Sequence, residues 1–396
     1  MGGWKTMNAI ELLDIISAGE TSKVQFKQEM DDDKFSAEMI AMSNSKGGVI
    51  LVGVKDKTGE IIGLTYEQLQ SYNNRLANVA NEKVKPQIFI ETEVVTVSTN
   101  EGEKKILVVT ILEGVSKPYK DKNGAIWVKQ GSDKRRITDN TEIMRLFQQS
   151  GNLFADEMEV YDTSIDDIDE RLFADYFRKE FGMSYQEKGL SYKEALRAKR
   201  VLRNDRVSLA GLLFFGKEPQ NIKPAFTIKT VSYFGNDIAG DSYRNKPADL
   251  KGTIPELFKQ SMDFLRSNLR HMQQGQNFNS IGVLEISEIV LTELLQNALI
   301  HRDYFKNAPI KVMVFDDRLE IVSPGKLPNS LTIEDIKYGN TVIRNNQIAM
   351  FAVHTLPYSG LGSGIKRSLR EQSNIEFIND IDGEQFIVKI PRFKQE

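Results

Sequence analysis

One segment near the C-terminal end constrains the fold more than any other. Residues 284–304 read LEISEIVLTELLQNALIHRDY, a helical pattern that is apolar on almost every side. Glu293, Asn297 and His301 are spaced i, i+4, i+8 and form one polar line on this helix. An apolar helix lies in a core, and a carboxylate and an amide carried into a core need partners. The pattern predicts either a polar stripe that meets solvent or a site built around these three side chains.

The composition excludes several kinds of chemistry. The chain has 396 residues, of which 40% are apolar and 27% charged. These fractions are close to the average for globular proteins and unlike those of disordered chains. The absence of cysteine excludes disulfides, iron–sulfur clusters, thiol catalysis and cysteine zinc sites. The net charge of −3 does not by itself indicate a nucleic-acid or membrane partner. Any basic surface for such a partner must therefore be a local cluster of Lys and Arg. We find no pattern of a signal peptide or membrane helix, and therefore expect a soluble, cytoplasmic protein with no membrane partner.

Helix and strand signals predict an α+β protein of three segments. Residues 1–150 alternate helices and strands; strands are predicted at VQFK, at VILVGVKD with EIIGL as its hairpin partner, and in a hairpin of IFIETEVVTV with KKILVVTILEG. Residues 151–280 form a helical and mixed middle region, with an acidic linker at 157–169 and an exposed loop at 273–277. Residues 281–396 combine the apolar helix with a hairpin, a glycine-rich turn and a terminal strand.

The glycine-rich turn strengthens the case for a site. Gly360, Gly362 and Gly364 alternate in SGLGSGIKR, just before a predicted helix. Glycines at this spacing let backbone N–H groups approach a phosphate chain, and the helix N-terminus adds partial positive charge. Such glycines also occur in ordinary turns. Their position after an ExxxN helix and a strand that ends in Ser-Pro-Gly favours phosphate binding.

Four motifs together resemble the histidine-kinase/gyrase/Hsp90-type (GHKL) ATPase domain, in an AlbA–Schlafen-associated branch often labelled RecG-like. They are ELLQNALIHRDY, FDDRLEIVSPGKLP, residues 343–346 and SGLGSGIKR, and the resemblance covers roughly residues 280–393. It implies an α/β sandwich that binds ATP and Mg²⁺, with Glu293 as the catalytic residue that acts on water and Asn297 holding Mg²⁺ through ATP. The remaining nucleotide-binding residues that it implies are His301, Asp303, Ser323, Gly325, Arg344, Gly360, Gly362 and Gly364.

Two departures limit what this resemblance implies. Most of the superfamily has an Asp in a DxGxG stretch that receives the adenine amino group, whereas this chain reads Ser323-Pro324-Gly325. Ser carries no charge, so we expect weaker adenine selectivity or a loss of nucleotide binding. The chain contains no GxxxxGK[ST] loop, which excludes a P-loop helicase despite the RecG-like label.

The N-terminal segment resembles the Schlafen AlbA_2 domain, a nucleic-acid-binding module, over about residues 8–140. The resemblance rests on ETSKVQFK and AMSNSKGGVILVGVKDKTGEIIGL, and KQGSDKRR resembles the basic strand end of the module. Schlafen-type nucleases hold a metal with acids, which this pattern would place at Glu20, position 25 and Asp56. Gln25 cannot bring charge to a divalent cation, so binding without cleavage is favoured. The candidate nucleic-acid contacts here are Lys27, Lys129, Lys134, Arg135 and Arg136, and the alternative is a solvated loop.

A second basic face lies in the middle region. Lys193, Arg197 and Arg200 share one side of a predicted helix and could follow a phosphate backbone with salt-sensitive affinity. The alternatives are a solvated face and pairing with the acidic tract upstream.

The sequence predicts a transcriptional regulator that binds nucleic acid, DNA in preference to RNA. We expect a homodimer with ATP-modulated binding and at most a weak Mg²⁺-dependent ATPase activity. The main alternative is a Schlafen-type metal-dependent nuclease gated by nucleotide, with a role in phage defence. A third is a scaffold with a vestigial ATP fold.

Overall fold

The protein folds into two compact units, Met1–Leu153 and Phe154–Glu396. The structure, a computed structural model, describes residues 7–151, 153–238, 242–272, 282–328 and 331–392. Mixed helices and sheets form both units, which confirms the predicted α+β class. The middle region, predicted at 151–280, falls from Phe154 onward in the same unit as the C-terminal segment.

The N-terminal unit alternates helices with short strands. Its helices are α1 (Ala9–Ala18), α2 (Asp32–Ser43), α3 (Tyr66–Asn78) and α4 (Asn140–Gln149). Its strands are β1 (Val24–Lys27), β2 (Gly48–Val52), β3 (Val84–Lys85), β4 (Ile90–Thr99), β5 (Gly102–Ile111), β6 (Lys120–Asp121), β7 (Ile126–Gln130) and β8 (Asp133–Ile137). Asn8 and Thr65 begin α1 and α3 with capping boxes, which satisfy backbone N–H groups of the first turn.

A four-stranded sheet of order β1-β2-β5-β4 is the centre of this unit. The predicted VQFK strand and the hairpin of IFIETEVVTV with KKILVVTILEG are confirmed as β1 and β4–β5. The predicted hairpin of VILVGVKD with EIIGL is wrong, because β2 pairs with β1 on one side and β5 on the other. The two segments still meet at the antiparallel bridge Val54↔Ile61, next to which the Lys55 N–H donates to the carbonyl oxygen of Glu60. A continuous apolar strand such as β2 is typical of a sheet centre, where distant strands occupy both edges.

The C-terminal unit contains nine helices and ten strands within its described residues. Its helices are α5 (Glu170–Phe181), α6 (Tyr192–Ala198), α7 (Leu209–Phe215), α8 (Pro219–Ile222), α9 (Ile254–Asn268), α10 (Glu288–His301), α11 (Ile333–Lys337), α12 (Asn346–Thr355) and α13 (Gly364–Glu371). Its strands are β9 (Leu202–Arg203), β10 (Arg206–Val207), β11 (Ile228–Tyr233), β12 (Tyr243–Asn245), β13 (His271–Met272), β14 (Val283–Leu284), β15 (Ile310–Val314), β16 (Arg318–Pro324), β17 (Glu376–Asp380) and β18 (Gln385–Pro391).

A six-stranded sheet of order β12-β11-β15-β16-β18-β17 organises this unit. Strand β11 runs parallel to β15, with Ile228 opposite Ile310, and the other neighbours are antiparallel. Helices α9 and α10 pack on one face of the sheet, in a core that includes Ile228, Val312 and Ile321. The predicted apolar helix is thus α10, and the sheet is the surface on which its apolar residues are buried.

The acidic stretch at 157–169 is part of this unit, and its prediction as a linker is wrong. Short 3-10 turns at Ala155–Glu157 and Ile165–Asp167 fold it against the helices, and Ile168 is fully packed in the core. The carboxylate of Asp156 is buried and accepts hydrogen bonds from the backbone N–H groups of Gln347 and Ile348, at 2.7 and 3.0 Å. The loop predicted at 273–277 lies outside the described residues.

Candidate functional site

A cavity of about 1080 Å³, including its open mouth, lies beside α10 in the C-terminal unit. Helix α10, strands β16–β18, residues of 325–328 and 331–344, and the glycine-rich turn before α13 form its walls. The predicted nucleotide-site residues that line it are Glu293, Asn297, His301, Ser323, Gly325, Arg344, Gly360, Gly362 and Gly364.

Glu293 and Asn297 point into this cavity from neighbouring turns of α10. The Oε1 atom of Glu293 forms an ion pair with Nη2 of Arg367, 2.5 Å away on α13. Burial raises the pKa of Glu293, and the positive charge of Arg367 acts in the opposite direction. Asn297 is half-buried, and its side-chain amide has no hydrogen-bond partner among the residues that the structure describes.

The glycine-rich turn approaches these two side chains closely. A Cβ at Gly364, the first residue of α13, would collide with Oε2 of Glu293 and lie 3.6 Å from Nδ2 of Asn297. Gly362 has a φ of +68°, and a Cβ there would lie 2.9 Å from the carbonyl oxygen of Gly339. A side chain at either position would therefore separate α13 from the cavity wall. The absence of one leaves backbone and the start of a helix facing Glu293 and Asn297.

His301 lines the cavity one turn further along α10, and Arg344 lines it from the segment before α12. Burial lowers the pKa of His301 to about 4, and the nearby charge of Arg344 adds to this effect, so the imidazole is neutral at pH 7. Arg344 donates from Nη2 to the carbonyl oxygen of Lys326 at 2.7 Å. Asp303 does not line the cavity. It lies behind Gly325, where its carboxylate accepts a hydrogen bond of 3.0 Å from the backbone N–H of Phe305.

Ser323 stands on the sheet side of the cavity, where the resemblance implies a contact with adenine. It is buried, and its hydroxyl donates to the carbonyl oxygen of Ala298 at 3.2 Å, which joins β16 to α10. The cavity-lining residues around it on the sheet are Ile321, Phe377, Phe386 and Val388. Within the described residues, Glu293 is the one carboxylate in the cavity lining.

Sequence reasoning missed Arg367, Tyr358 and Asn345. Tyr358 lines the cavity, and burial together with the charge of Glu293 raises its pKa. Asn345 is fully buried, and its Nδ2 donates to the carbonyl oxygens of Ile300 and Arg302, at 2.8 and 2.9 Å. It therefore satisfies carbonyl groups at the C-terminal end of α10. Arg367 and Asn345 lie in quoted motifs, but their partners are far away in the chain.

In the N-terminal unit, the predicted basic cluster is largely paired with acids. Lys129 is buried, and its Nζ donates to Gln25, Glu38 and the carbonyl oxygen of Ser132, at 2.7 to 2.8 Å. Lys134 contacts the other oxygen of Glu38 at 2.8 Å.

The other members of this candidate set differ in their exposure. Arg135 forms a two-pronged ion pair with Glu142, and Lys27 pairs with Asp56 at 2.8 Å. Arg136 is exposed and forms no ion pair with another described residue. The cations that are available to a ligand therefore lie on the β7–β8 hairpin, and they are Arg136, Arg135 and the partly exposed Lys134.

Two of the three positions that would hold a nuclease metal, Glu20 and Gln25, belong to a hydrogen-bonded network, whereas Asp56 pairs with Lys27. Glu20 accepts hydrogen bonds from the side chain of Gln25 and the backbone N–H of Phe26, and Gln25 in turn contacts the Lys129 ammonium. No group of three His, Cys, Asp or Glu side chains that could hold a metal occurs among the residues that the structure describes. Gln25 therefore contributes to a buried network around the ion pair of Lys129 with Glu38, which is favoured here over a metal site.

The basic face of α6 is also paired. Lys193 and Arg197 both contact Oδ1 of Asp205, at 2.9 and 2.7 Å. The prediction that Arg200 shares their helical face is wrong, because α6 ends at Ala198 and Arg200 follows with a φ of +57°, 3.6 Å from Glu157. Glu157 belongs to the acidic tract upstream. This arrangement favours the alternative in which the basic face pairs within its own unit, although the exposed side chains remain accessible to solvent ions.

Comparisons with known families match three segments of the chain. Residues 20–138 match the model described as Schlafen, AlbA_2, and residues 307–389 match the C-terminal domain of the putative ATP-dependent DNA helicase RecG. These matches confirm the predicted two-part architecture. Residues 144–228 match a domain of unknown function (DUF8451). Helix α10 precedes the second match, so the roles of Glu293 and Asn297 depend on the geometry of the cavity.

Among solved structures, a crystal structure of the DIP2311 protein from Corynebacterium diphtheriae is similar to this chain. The alignment covers 97% of this chain and 80% of that one, with 19% identical residues and a TM-score of 0.45. No curated protein matches the chain. Across the described ranges, none of the helices has the length and apolar character needed to cross a membrane.

Proposed function

We propose that this protein is a cytoplasmic, homodimeric regulator that binds nucleic acid through its N-terminal unit and a nucleoside triphosphate in the C-terminal cavity. Binding of the nucleotide changes the affinity for nucleic acid. DNA is the favoured target, and regulation of transcription is the favoured process. The matches to Schlafen AlbA_2 and to a RecG C-terminal domain support the two binding roles.

The observation that carries this proposal is the convergence of α10 and the glycine-rich turn on one cavity. Glu293 and Asn297 on α10 face Gly364 at the start of α13, and the turn leaves its backbone exposed to the cavity. Backbone N–H groups and a helix start favour phosphate oxygens, and an unpartnered amide oxygen suits a hard cation. A triphosphate with Mg²⁺ satisfies all of these groups together.

The residues present fit a magnesium ion that is held mostly by the nucleotide. Mg²⁺ retains several waters and usually takes one or two protein ligands besides phosphate oxygens. Asn297 would supply the protein ligand, and the bound ion would neutralise charge that develops on the phosphates. Arg367 holds one carboxylate oxygen of Glu293, and the other faces Gly364, where it would accept a proton from water in a slow hydrolysis.

The β7–β8 hairpin is the surface that we assign to nucleic acid. Lys134, Arg135 and Arg136 follow one another on β8, and Arg136 is exposed without an ion pair inside the described residues. Cations on a hairpin contact phosphates without reading sequence. The ion pair of Arg135 with Glu142 can exchange for a phosphate, because both side chains are partly exposed.

The test is a linkage measurement by fluorescence anisotropy. A labelled DNA duplex and an RNA of equal length are titrated with the full chain, with and without saturating ATP and Mg²⁺. We expect tighter binding to the duplex, recovery of intact oligonucleotide, and a change in duplex affinity of about fivefold or more with ATP. Duplex must change the ATP affinity by the same factor, because coupling is reciprocal. Unchanged affinity in both directions would refute the coupling, and absence of nucleic-acid binding would refute the proposal.

A further inference from the structure

We propose that the nucleotide pocket does not select adenine and binds nucleoside triphosphates of different bases with similar affinity. This inference rests on the proposed function, since it concerns the substrate class of the same cavity. It follows from the polar groups that the sheet floor of the pocket offers to a base.

The cavity has a polar end and an apolar end. The polar end contains Glu293, Asn297, Arg367 and the glycine-rich turn, which together suit phosphates and a cation. The apolar end is formed by the sheet and by the segment before and within α11. Its lining residues are Ile321, Leu327, Leu331, Ile336, Phe377, Phe386 and Val388. With the triphosphate at the polar end, the base occupies the apolar end.

The sheet forms the floor beneath the base, and its register places the floor residues in two rows. Ile321, Val388 and Phe377 are direct cross-strand neighbours in the first row. Ser323, Phe386 and Asn379 form the second row in the same way. The rings of Phe377 and Phe386 are stacked, with centroids 6.3 Å apart and planes 27° from parallel. Such a floor offers apolar burial and aromatic faces.

Both polar members of this floor form hydrogen bonds within the protein, and the groups that they leave for a base, the hydroxyl oxygen of Ser323 and Nδ2 of Asn379, are uncharged. The Ser323 hydroxyl donates to the carbonyl oxygen of Ala298 at 3.2 Å. The Oδ1 atom of Asn379 accepts a hydrogen bond from the backbone N–H of Leu327 at 2.9 Å. Among the described residues at this end of the cavity, no carboxylate remains to accept the amino group of adenine.

This distribution of polar groups determines how strongly the site can discriminate between bases. A pocket that hydrogen-bonds a substrate group rejects analogues lacking it by about 10⁴-fold or more, whereas an apolar pocket discriminates far less. Stacking on aromatic side chains is tolerant, because every base has a π-face. The phosphate contacts are the same for every nucleoside triphosphate. Adenine and guanine therefore gain similar stabilisation in this cavity.

The test is calorimetric titration of the full chain with ATP and with GTP, each with Mg²⁺. We expect dissociation constants that differ by less than about tenfold, as an apolar pocket allows. An ATP preference larger than this overturns the inference and leaves the proposed function intact. Failure of both triphosphates to bind overturns the proposed function itself, so the two failures are distinguishable.

A substitution on the floor provides a gain-of-selectivity test. Ser323→Asp replaces the neutral hydroxyl oxygen beneath the base with a charged acceptor, and we expect it to raise the ratio of ATP to GTP affinity by about tenfold or more. Ser323→Ala is the matched control, which loses the bond to Ala298 but adds no acceptor, and should keep the wild-type ratio. A folded Ser323→Asp variant with an unchanged ratio would contradict this placement of the base.

A second variant keeps the test informative if Ser323→Asp does not fold, as judged by circular dichroism. Phe386→Ala removes part of the aromatic floor and should weaken ATP and GTP binding by the same factor. A loss confined to one of the two nucleotides would contradict a base-tolerant site.

Discussion

At the scale of single residues, Asn297 carries the metal-dependent part of the proposed nucleotide affinity. Its amide faces the cavity without a partner among the described residues. Asn297→Ala should lower ATP affinity in the presence of Mg²⁺ by about tenfold or more, since a ligand to the cation is lost. Titration calorimetry with and without EDTA measures this, and the variant should no longer respond to Mg²⁺. Thr292→Ala, on the same helix but outside the cavity lining, is the control and should bind as the wild type does.

Arg367 forms an ion pair with Glu293 at 2.5 Å, and its charge opposes the rise that burial causes in the pKa of that carboxylate. A carboxylate accepts a proton from water only when deprotonated, so hydrolysis rises with pH through the pKa of Glu293. Arg367→Gln removes the charge that lowers this pKa, and the acid limb of the rate profile should move to higher pH. Arg367→Lys keeps the charge and should remain near the wild-type profile. Phosphate release measured from about pH 5 to 9 tests this, and superimposable acid limbs would count against it.

Single residues also show which features of the site could be predicted from the sequence. The i, i+4 spacing predicts that Glu293 and Asn297 share one side of α10, and the cavity contains both. The cluster at 129–136 was predicted as neighbouring cations, yet Lys129 is buried against Glu38, about ninety residues earlier in the chain. Neighbouring positions in the sequence show which like charges lie close together. They do not show the acidic partners, which come from distant parts of the chain. Arg367 was missed for the same reason.

At the scale of elements, the carboxylate of Asp156 accepts hydrogen bonds from the first turn of α12. Because this group titrates, it makes the stability of the folded protein depend on pH. Burial raises the pKa of Asp156 from 3.8 to about 6 in the folded protein. Between these values the folded state binds more protons than the unfolded state, so this group's contribution to the free energy of unfolding falls as pH rises. A shift of this size corresponds to about 3 kcal/mol at most.

Asp156→Asn should remove this pH dependence while keeping one oxygen that can accept from Gln347 and Ile348. Relative to the wild type, the variant should therefore gain stability between about pH 4 and about pH 6 and stay level above that range. Denaturant unfolding followed by circular dichroism at several pH values measures the difference. A difference that is constant with pH would show that Asp156 does not titrate in this interval.

Elements with strong local patterns were predictable, and those defined by distant partners were not. The apolar helix α10, the β4–β5 hairpin and the helix after the glycine-rich turn follow from periodicity and turn residues. The failed hairpin of β2 had a suitable turn, but two distant strands occupy the edges of β2. The acidic stretch at 157–169 has no apolar period, yet Asp156 beside it is buried at the start of a helix almost two hundred residues later.

At the scale of the whole molecule, a net charge of −3 means that any attraction to nucleic acid comes from local cations. Arg136→Ala should reduce the slope of log affinity against log salt by about 1, because one phosphate contact is lost. Lys55→Ala is the control, since Lys55 is exposed and paired with Glu60 at 3.1 Å on a different loop. Equal slopes for the Arg136 variant and the wild type would remove the β7–β8 hairpin from the proposed interface.

The arrangement of segments also depends on contacts between distant residues, which the sequence does not show. Motifs identify an AlbA_2-type segment and a RecG-like segment, and the family matches agree. Strand β11 lies in the predicted middle region but pairs in parallel with β15, about eighty residues later. A parallel pair needs no turn between its strands and leaves no local signal. The sequence therefore could not predict that the middle region contributes a strand to the C-terminal sheet.

The most direct test of the central claim is a crystal structure of the full chain with a non-hydrolysable ATP analogue and Mg²⁺. We predict a triphosphate between Asn297 and residues 360–364, with the base on the floor of Phe377 and Phe386. Ordered nucleotide bound elsewhere, or a cavity free of nucleotide under conditions where calorimetry detects binding, would contradict the account.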